Sequence, residues 1–309
     1  MVKFIDLHCD TITKCLETNE NLYKNNLHID IERLKKYGSS IQFFAIWLKK
    51  SLYENAFEET EKAINFFNWE IEKNKKYIKK ATSFKDILNN QRENKFSAIL
   101  SIEGGECLKG DINNLDKFYL DGVRMLSLTW NYENELGYGV FEDEKLPLKE
   151  LGKLAIKKMN KLGIIIDISH LNEGGFWDIY KISEKPFIAS HSNSYSICKN
   201  KRNLKDEQIK AIKEKNGVIG INLYKNFLTN KEEGNIEDIF NHIDYICKLI
   251  GFENICIGGD LDGIDKSVNG INNISSYEYL FQKLNQKYKD TISEKIFFGN
   301  FYNFLKNNI

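Results

Sequence analysis

Eight short apolar runs alternate with longer stretches of helical period along this 309-residue chain. The runs are rich in Ile, Val and Phe, residues that favour β-strands, and this alternation is typical of βα units stacked into a parallel sheet. The candidate strands are VKFIDLH, SIQFFAIW, FSAILSIE, VRMLSLT, GIIIDISH, PFIASHS, GVIGINLY and NICIGGD.

Helical stretches separate the runs. They include AFEETEKAINFFNWEIEKNKK, LKELGKLAIKKMNKL, LKDEQIKAIKEK and IEDIFNHIDYICKLI, and EKIFFGNFYNFLKN closes the chain. Eight such units predict a (β/α)8 TIM barrel, although a doubly wound open sheet would show much the same alternation. Several runs end in polar residues, which favours the barrel. In a barrel the C-terminal ends of all strands surround one site, whereas in an open sheet they lie along a line and these side chains would be too far apart to share a site. No linker or repeat interrupts the pattern, so we expect one domain over residues 1–309.

Composition argues against several classes of function. The 44 basic and 44 acidic residues leave no net charge, so nothing predicts binding to nucleic acid or to an anionic membrane. No apolar stretch approaches the ~18 residues of a membrane span, and the N-terminus does not resemble a signal peptide. The six cysteines are scattered without CxxC spacing. We therefore expect a cytoplasmic protein with reduced thiols.

The first run leads into KFIDLHCDTIT, where His8 and Asp10 are two residues apart. On an extended backbone both side chains project to one face, and that of Cys9 projects to the other, where it should pack. One cation could bind both residues. Alternatively, His8 packs at a strand end and Asp10 begins a turn, and the pair alone does not decide between these interpretations.

A carboxylate, Glu103, ends the apolar run FSAILSIE and precedes Gly104 and Gly105. A buried carboxylate needs a partner, which could be a metal ion or the side chain of a lysine or arginine in the barrel. Glu106 falls beyond the glycines, and we expect it in a solvated loop.

Two more runs carry a histidine at or next to their last residue, at His170 and His191. Imidazole suits zinc and similar divalent ions, although a single histidine at a strand end is more often structural. With His8, three of the five histidines lie at strand ends, which favours a shared site. His28 and His242 lie in loop or helix context, and we assign them no catalytic role.

The last run continues as IGGDLDGI, with carboxylates at Asp260 and Asp262. A carboxylate here could orient or deprotonate a metal-bound water. The alternative is a turn built from Asp and Gly. We prefer Asp260 to Asp262 as the proton-handling residue because it is nearer the strand, but the choice depends on the register.

Taken in order, the motifs DLHCDT, SIEGGE, DISH, ASHSNSYSICKNKRN and IGGDLDG resemble the membrane (renal) dipeptidase family, peptidase family M19. These are zinc dipeptidases of the amidohydrolase-like barrels. The resemblance extends from about residue 3 to GNFYNFL near the C-terminus. It implies a metal-dependent hydrolase of the TIM-barrel type that cleaves dipeptides, including some with a C-terminal D-residue.

The resemblance also implies two zinc ions per chain that share one carboxylate. In the family a water or hydroxide bridging the metals attacks the peptide carbonyl, and the aspartate that matches Asp260 orients it and handles its proton. The implied ligands are His8, Asp10 and Glu103 for one ion, and Glu103, His170 and His191 for the other.

Further residues are implied to bind substrate. Arg202 in KNKRN matches a family arginine that binds the free carboxylate, although a basic run such as this could simply be a solvated loop. Tyr224 in INLY would line the same pocket. Many family members have a histidine in an LTH context where this chain has Trp130 and Asn131, and Asn131 could donate a hydrogen bond to the developing oxyanion.

Three hypotheses follow for the function. The first is a zinc dipeptidase, with a dipeptide as its ligand and a homodimer as in relatives. The second keeps the two metals but acts on a lactam, an N-acyl amino acid or another amide. The third is a non-catalytic barrel, which the complete ligand set argues against.

Overall fold

Nine short parallel strands form one sheet in the computed structural model, which describes residues 1–309. They are β1 (Ile5–Asp6), β2 (Ile41–Trp47), β3 (Ile78–Lys80), β4 (Phe96–Glu103), β5 (Val123–Ser127), β6 (Ile165–Asp167), β7 (Phe187–Ile188), β8 (Ile219–Ile221) and β9 (Ile255–Ile257). Eight of them follow the order β7-β6-β5-β4-β2-β1-β9-β8. The two ends of this path meet where Ala189 forms a parallel bridge with Ile219. The result is a nearly closed barrel, and the predicted (β/α)8 architecture is confirmed.

The ninth strand, β3, was missed by the sequence analysis. It pairs with the first part of β4, from Ile78 opposite Phe96 to Lys80 opposite Ala98, while β5 pairs with the part of β4 that follows. Because β2 occupies the other edge of β4, β3 and β5 lie on the same side of that strand. With only three residues, two of them lysines, β3 lacks the apolar run that marks the other strands.

Several strands are shorter than predicted, because the chain leaves the sheet just before the polar residues. His170, Asp260 and Asp262 all have left-handed backbone conformations, with φ of 70°, 58° and 69°. Histidine and aspartate adopt this region more readily than bulky or β-branched residues, but it still carries a cost. His170, Asp260 and Asp262 therefore lie in βα loops, whereas Glu103 is the last residue of β4.

Thirteen α-helices accompany the strands, and none has the combination of length and apolarity needed to cross a bilayer. They are α1 (Thr11–Thr18), α2 (Ile31–Leu34), α3 (Ala56–Lys73), α4 (Phe84–Arg92), α5 (Asn114–Leu120), α6 (Glu150–Leu162), α7 (Glu173–Ile182), α8 (Asp206–Glu214), α9 (Lys225–Leu228), α10 (Ile236–Ile250), α11 (Tyr277–Tyr288), α12 (Asp290–Glu294) and α13 (Asn300–Asn308).

The predicted helical stretches correspond to α3, α6, α8, α10 and α13. Helix α10 begins with a capping box in which Asn235 and Asp238 satisfy each other's backbone N–H groups, and Gly251 follows its last residue. Only the second part of the final stretch is an α-helix, because Lys295–Gly299 forms a π-helical turn before α13.

The barrel interior is apolar at one end and polar at the other. Alternate strand residues point inward, and outward-facing ones pack against the helices in a larger cluster. Along β4 the inward row runs from Ile99 through Ser101 to Glu103, so polarity rises towards the C-terminal end of the strand. The apolar inner cluster contains Ile5, Leu7, Ile41, Phe43, Ile99, Met125, Ile165, Ile188, Val218 and Cys256, with Phe301, Phe304 and Leu305 of α13. The polar end is where TIM barrels carry their active sites.

Candidate metal centre

Glu103, at the end of β4, lies among three histidines at the polar end of the barrel. Its Oε2 is 3.4 Å from His8 Nε2. Its Oε1 is 2.5 Å from His170 Nε2 and 3.6 Å from His191 Nε2. The Nε2 atoms of His170 and His191 are 2.8 Å apart. Residues from the ends of four different strands therefore direct their ligand atoms at one point.

Two more carboxylates approach the same group from the other side of His8. His8 Nε2 lies 3.5 Å from Asp10 Oδ2 and 3.9 Å from Asp260 Oδ1. Gly263 permits this approach, because a Cβ atom at that position would overlap both carboxylates. Cys9 is fully buried among the residues of the outer cluster, so its side chain packs, as predicted.

The chemistry of this donor set fits a metal centre. His8 Nε2, Asp10 Oδ1 and Glu103 Oε1 are buried and have no hydrogen-bond partner; the short approach of His170 Nε2 to Glu103 lacks the orientation of a hydrogen bond. Buried polar atoms are normally paired, and imidazole nitrogens and carboxylate oxygens are both ligand types that zinc accepts. Ligand atoms lie within 4.8 Å of one another in two groups: His8, Glu103 and His191, and His8, Asp10 and Asp260.

The electrostatics keep two of the rings neutral, as metal binding requires. Burial lowers the pKa of His170 to about 4, with the Arg202 charge acting in the same direction. Burial also lowers the pKa of His191 well below its usual value. For His8 burial acts in the same sense, but the carboxylates of Glu103 and Asp10 outweigh it and hold the pKa well above its usual value.

A hydrogen-bond chain that the sequence analysis missed orients His191. Its Nδ1 lies 2.6 Å from Ser190 Oγ, and the Ser190 hydroxyl donates to Asp167 Oδ2 at 2.6 Å. Because the single hydroxyl proton goes to Asp167, the proton on His191 Nδ1 must donate to Ser190, which leaves the Nε2 lone pair free. Asp167 belongs to the motif DISH and Ser190 to the motif ASH, so both polar partners could have been noticed next to the histidines in the sequence.

Asn131 performs the corresponding task for His170. Its Oδ1 lies 2.8 Å from His170 Nδ1. An amide oxygen can only accept, so the ring carries its proton on Nδ1 and presents the Nε2 lone pair to Glu103. The loop also fixes the left-handed backbone of His170, since the N–H of Val140 donates to the His170 carbonyl at 2.9 Å. The side-chain oxygen of Asn131 is therefore committed, and only its Nδ2 remains to face a substrate.

Asp260 and Asp262 occupy different environments. Asn222 Nδ2 donates to Asp260 Oδ2 at 2.9 Å, and burial raises the pKa of Asp260 to about 7. Asp262 instead accepts hydrogen bonds from Thr11 Oγ1 at 2.5 Å and from the backbone N–H of His28 at 2.6 Å. The structure thus directs Asp260 towards the metal centre, while both carboxylate oxygens of Asp262 are bonded elsewhere.

Arg202 and Tyr224 line a cavity of about 510 Å³ that reaches the metal centre, together with Asn131, Glu103 and Asp260. Arg202 is only 4% exposed, so the alternative of a solvated basic loop is wrong for this residue. Its Nη2 donates to the His191 carbonyl at 3.3 Å, and its Nε is buried without a partner.

The prediction that Glu106 lies in a solvated loop is wrong. It lies in a 3₁₀ turn over Gly105–Leu108 and is 8% exposed, and burial raises its pKa to about 7. The two histidines assigned no catalytic role lie outside the centre. His242 accepts a hydrogen bond from the Ser194 N–H, and His28 accepts one from the Asp262 N–H.

Comparisons with known proteins identify the family and several relatives. The family model described as membrane dipeptidase (peptidase family M19) matches residues 1–308. An uncharacterized protein in the PQQ-III 3' region of Acinetobacter calcoaceticus is 32% identical over 249 residues, which span 71% of this chain and 78% of that protein. The dipeptidase aclJ of Aspergillus oryzae is 27% identical over 271 residues, or 83% of this chain and 64% of that protein.

Solved structures share the fold over nearly the whole chain. A metallo peptidase from Rhodobacter sphaeroides, liganded with a phosphinate mimic of the dipeptide L-Ala-D-Ala, superposes with a TM-score of 0.93 at 23% identity, covering 100% of this chain and 99% of that one. The dipeptidase AC, a metallo peptidase of family M19, gives a TM-score of 0.92 at 24% identity, covering 99% and 98%.

Proposed function

Since the chain belongs to the membrane dipeptidase family, peptidase family M19, we propose that it hydrolyses dipeptides with the help of two zinc ions. The proposal includes dipeptides with a C-terminal D-residue, which the ligand of the Rhodobacter sphaeroides structure supports. We further propose that residues 1–309 act as one barrel domain. A cytoplasmic location and a homodimer remain predictions.

The proposed zinc ligands are the residues whose nitrogen and oxygen atoms converge. Two zinc ions held there would supply an acidified water and would polarise the scissile carbonyl. The ligands are His8, Asp10 and Glu103 for one ion, and Glu103, His170 and His191 for the other, with Glu103 shared.

We assign the proton-handling role to Asp260. Its Oδ2 is held by Asn222, so Oδ1, which faces His8, is the oxygen available to take the proton of the attacking water. A carboxylate with a pKa near the working pH can accept that proton and later give it to the leaving amine.

The observation that carries the dipeptide assignment is the environment of Arg202. This buried guanidinium has an Nε atom without a partner, and it lines the cavity that reaches the metal centre. A buried charge needs a counter-ion, and the planar guanidinium matches a carboxylate. A free carboxylate one residue beyond the scissile bond would supply it, with Tyr224 in the same cavity.

Arg202→Ala is expected to raise the Michaelis constant for a dipeptide roughly 30-fold or more, because a buried charge pair loses one partner. Hydrolysis of the corresponding dipeptide amide, which lacks the carboxylate, should change little. Steady-state kinetics on the acid and amide pair measure both effects. Lys201→Ala, in the same basic run but exposed, is the matched control. Equal losses on acid and amide would indicate a hydrolase whose substrates need no carboxylate.

Asn131→Leu is expected to weaken metal binding roughly 10- to 100-fold, because His170 loses the acceptor that fixes its ring. Asn131→Asp should restore the affinity, since a carboxylate oxygen also accepts from Nδ1. Competition with a chelator measures the affinity without any assay of activity. If Asn131→Leu binds metal as tightly as the natural chain but hydrolyses slowly, the residue acts on the oxyanion through Nδ2 instead.

A further inference from the structure

An aromatic wall, which we define as Trp47, Trp130, Tyr132 and Phe141, extends outward from the metal centre. Successive ring centroids are 5.2 Å, 5.6 Å and 5.7 Å apart. The Trp130 ring lies 6.3 Å from the His170 ring. At the outer end, Tyr132 is 47% exposed and Phe141 is 51% exposed. Neither metal binding nor proton transfer accounts for these rings.

Three of the four rings of the aromatic wall face the cavity in which the substrate is proposed to bind. Trp47, Trp130 and Phe141 line the same cavity as Glu103 and Arg202. The cavity therefore has an apolar side, a metal centre and a buried guanidinium. A ligand that fills it would contact all three.

Arg202 belongs to a second aromatic group within that cavity. The ring of Phe227 lies 5.4 Å from the Arg202 guanidinium and 4.8 Å from the ring of Tyr224. If the carboxylate of a dipeptide binds Arg202, its C-terminal residue lies against this group. Arg202, Tyr224 and Phe227 are not part of the aromatic wall. The wall is then available to the N-terminal residue of the dipeptide.

The charge at the mouth of the cavity favours an apolar ligand over an acidic one. Lys14 also lines the cavity, but its ammonium group is 3.4 Å from Glu17 and 6.0 Å from the Trp47 ring. Its charge is therefore already paired. A carboxylate side chain lying against the rings would lose water and would have to displace Glu17 from this ammonium group.

Resting on the proposed dipeptidase function, we propose that the aromatic wall binds the side chain of the N-terminal residue of the dipeptide and selects large apolar side chains there. Burying such a side chain against Trp130 and Phe141 removes apolar surface from water. Differences of a few methylene groups in an apolar site change kcat/KM by about tenfold or more. The substrate class is thus a dipeptide with Phe, Leu or Met first.

The test compares kcat/KM for Phe-Ala, Gly-Ala and Ala-Phe in the zinc-loaded protein. We expect Phe-Ala to exceed Gly-Ala by about tenfold or more. Trp130→Ala and Phe141→Ala should each lower kcat/KM for Phe-Ala several-fold more than for Gly-Ala. Phe141→Ala is included because its exposed ring is remote from the fold's core, whereas Trp130 adjoins Asn131. Tyr279→Ala, an exposed ring on α11 outside the cavity, is the control and should change neither value.

The outcomes separate this inference from the function on which it rests. If none of the three dipeptides is hydrolysed by protein of verified zinc content, the dipeptidase proposal fails. If Gly-Ala is hydrolysed as well as Phe-Ala, and Phe141→Ala affects both equally, the aromatic wall does not select the substrate. If the losses fall on Ala-Phe rather than Phe-Ala, the wall serves the C-terminal residue, and the inference is overturned.

Discussion

Asp260→Asn is expected to keep both metals and to lose activity by roughly 10²- to 10⁴-fold, the usual contribution of a positioned general base. The amide retains the shape of the carboxylate and can still bond to Asn222 through its oxygen, but it cannot accept the proton of the attacking water. The loss should fall on kcat. Elemental analysis and steady-state kinetics on one preparation measure the two quantities.

Asp262→Asn is the matched control, and it also addresses the choice of register that the sequence left open. The oxygens of Asp262 accept hydrogen bonds from Thr11 and from the His28 backbone, so this variant should lose thermal stability rather than turnover. Full activity in Asp260→Asn would remove that residue from proton transfer. A large kcat loss in Asp262→Asn with unchanged stability would assign the task to Asp262.

Glu103→Gln is expected to lose metal as well as activity. Glu103 is the carboxylate that lies within reach of His8, His170 and His191 at once, so it is the one side chain proposed to serve both ions. A neutral amide is a weaker ligand, and it would leave the neighbouring cations without their shared counter-charge. We expect at least one ion to be absent after dialysis. Turnover should fall at least ~10³-fold, because the chemistry that depends on the metal is lost with it.

Glu106→Gln provides the control for this substitution, since Glu106 is a second buried glutamate three positions along the chain. It touches none of the proposed ligands closely enough to form an ion pair, so its variant should retain both metals and most activity. Retention of two tightly bound ions by Glu103→Gln would contradict the bridging role. Metal loss in both variants alike would point to a general disturbance of the segment after β4.

The sequence alone was sufficient to predict which polar residues lie together at the strand ends, while their roles stay predictions. In a barrel, a histidine or carboxylate that follows an apolar run lies at the C-terminal end of a strand, so the barrel prediction already implied that His8, Glu103 and His170 lie at one end. The spacing of two between His8 and Asp10 fixed their common side. Strand pairing needs no knowledge of the loops, which is why this part of the prediction succeeded.

Features that depend on loop conformation could not be predicted in this way. The 3₁₀ turn after Gly104 buries Glu106, although two glycines normally suggest an exposed loop. The loop after β5 folds back over His170, so the oxygen of Asn131 binds that ring and is not free for a substrate. Arg202 was ambiguous in sequence because a basic run is usually solvated, and only tertiary packing buries it.

The most direct test of the proposed function is to measure zinc content and dipeptide hydrolysis on the same purified sample. We expect two zinc ions per chain and turnover of L,L-dipeptides, with L,D-dipeptides included in the panel. Removal of the metal by a chelator should abolish turnover, and added zinc should restore it. A protein that holds two zinc ions per chain yet hydrolyses none of these dipeptides would contradict the proposed function.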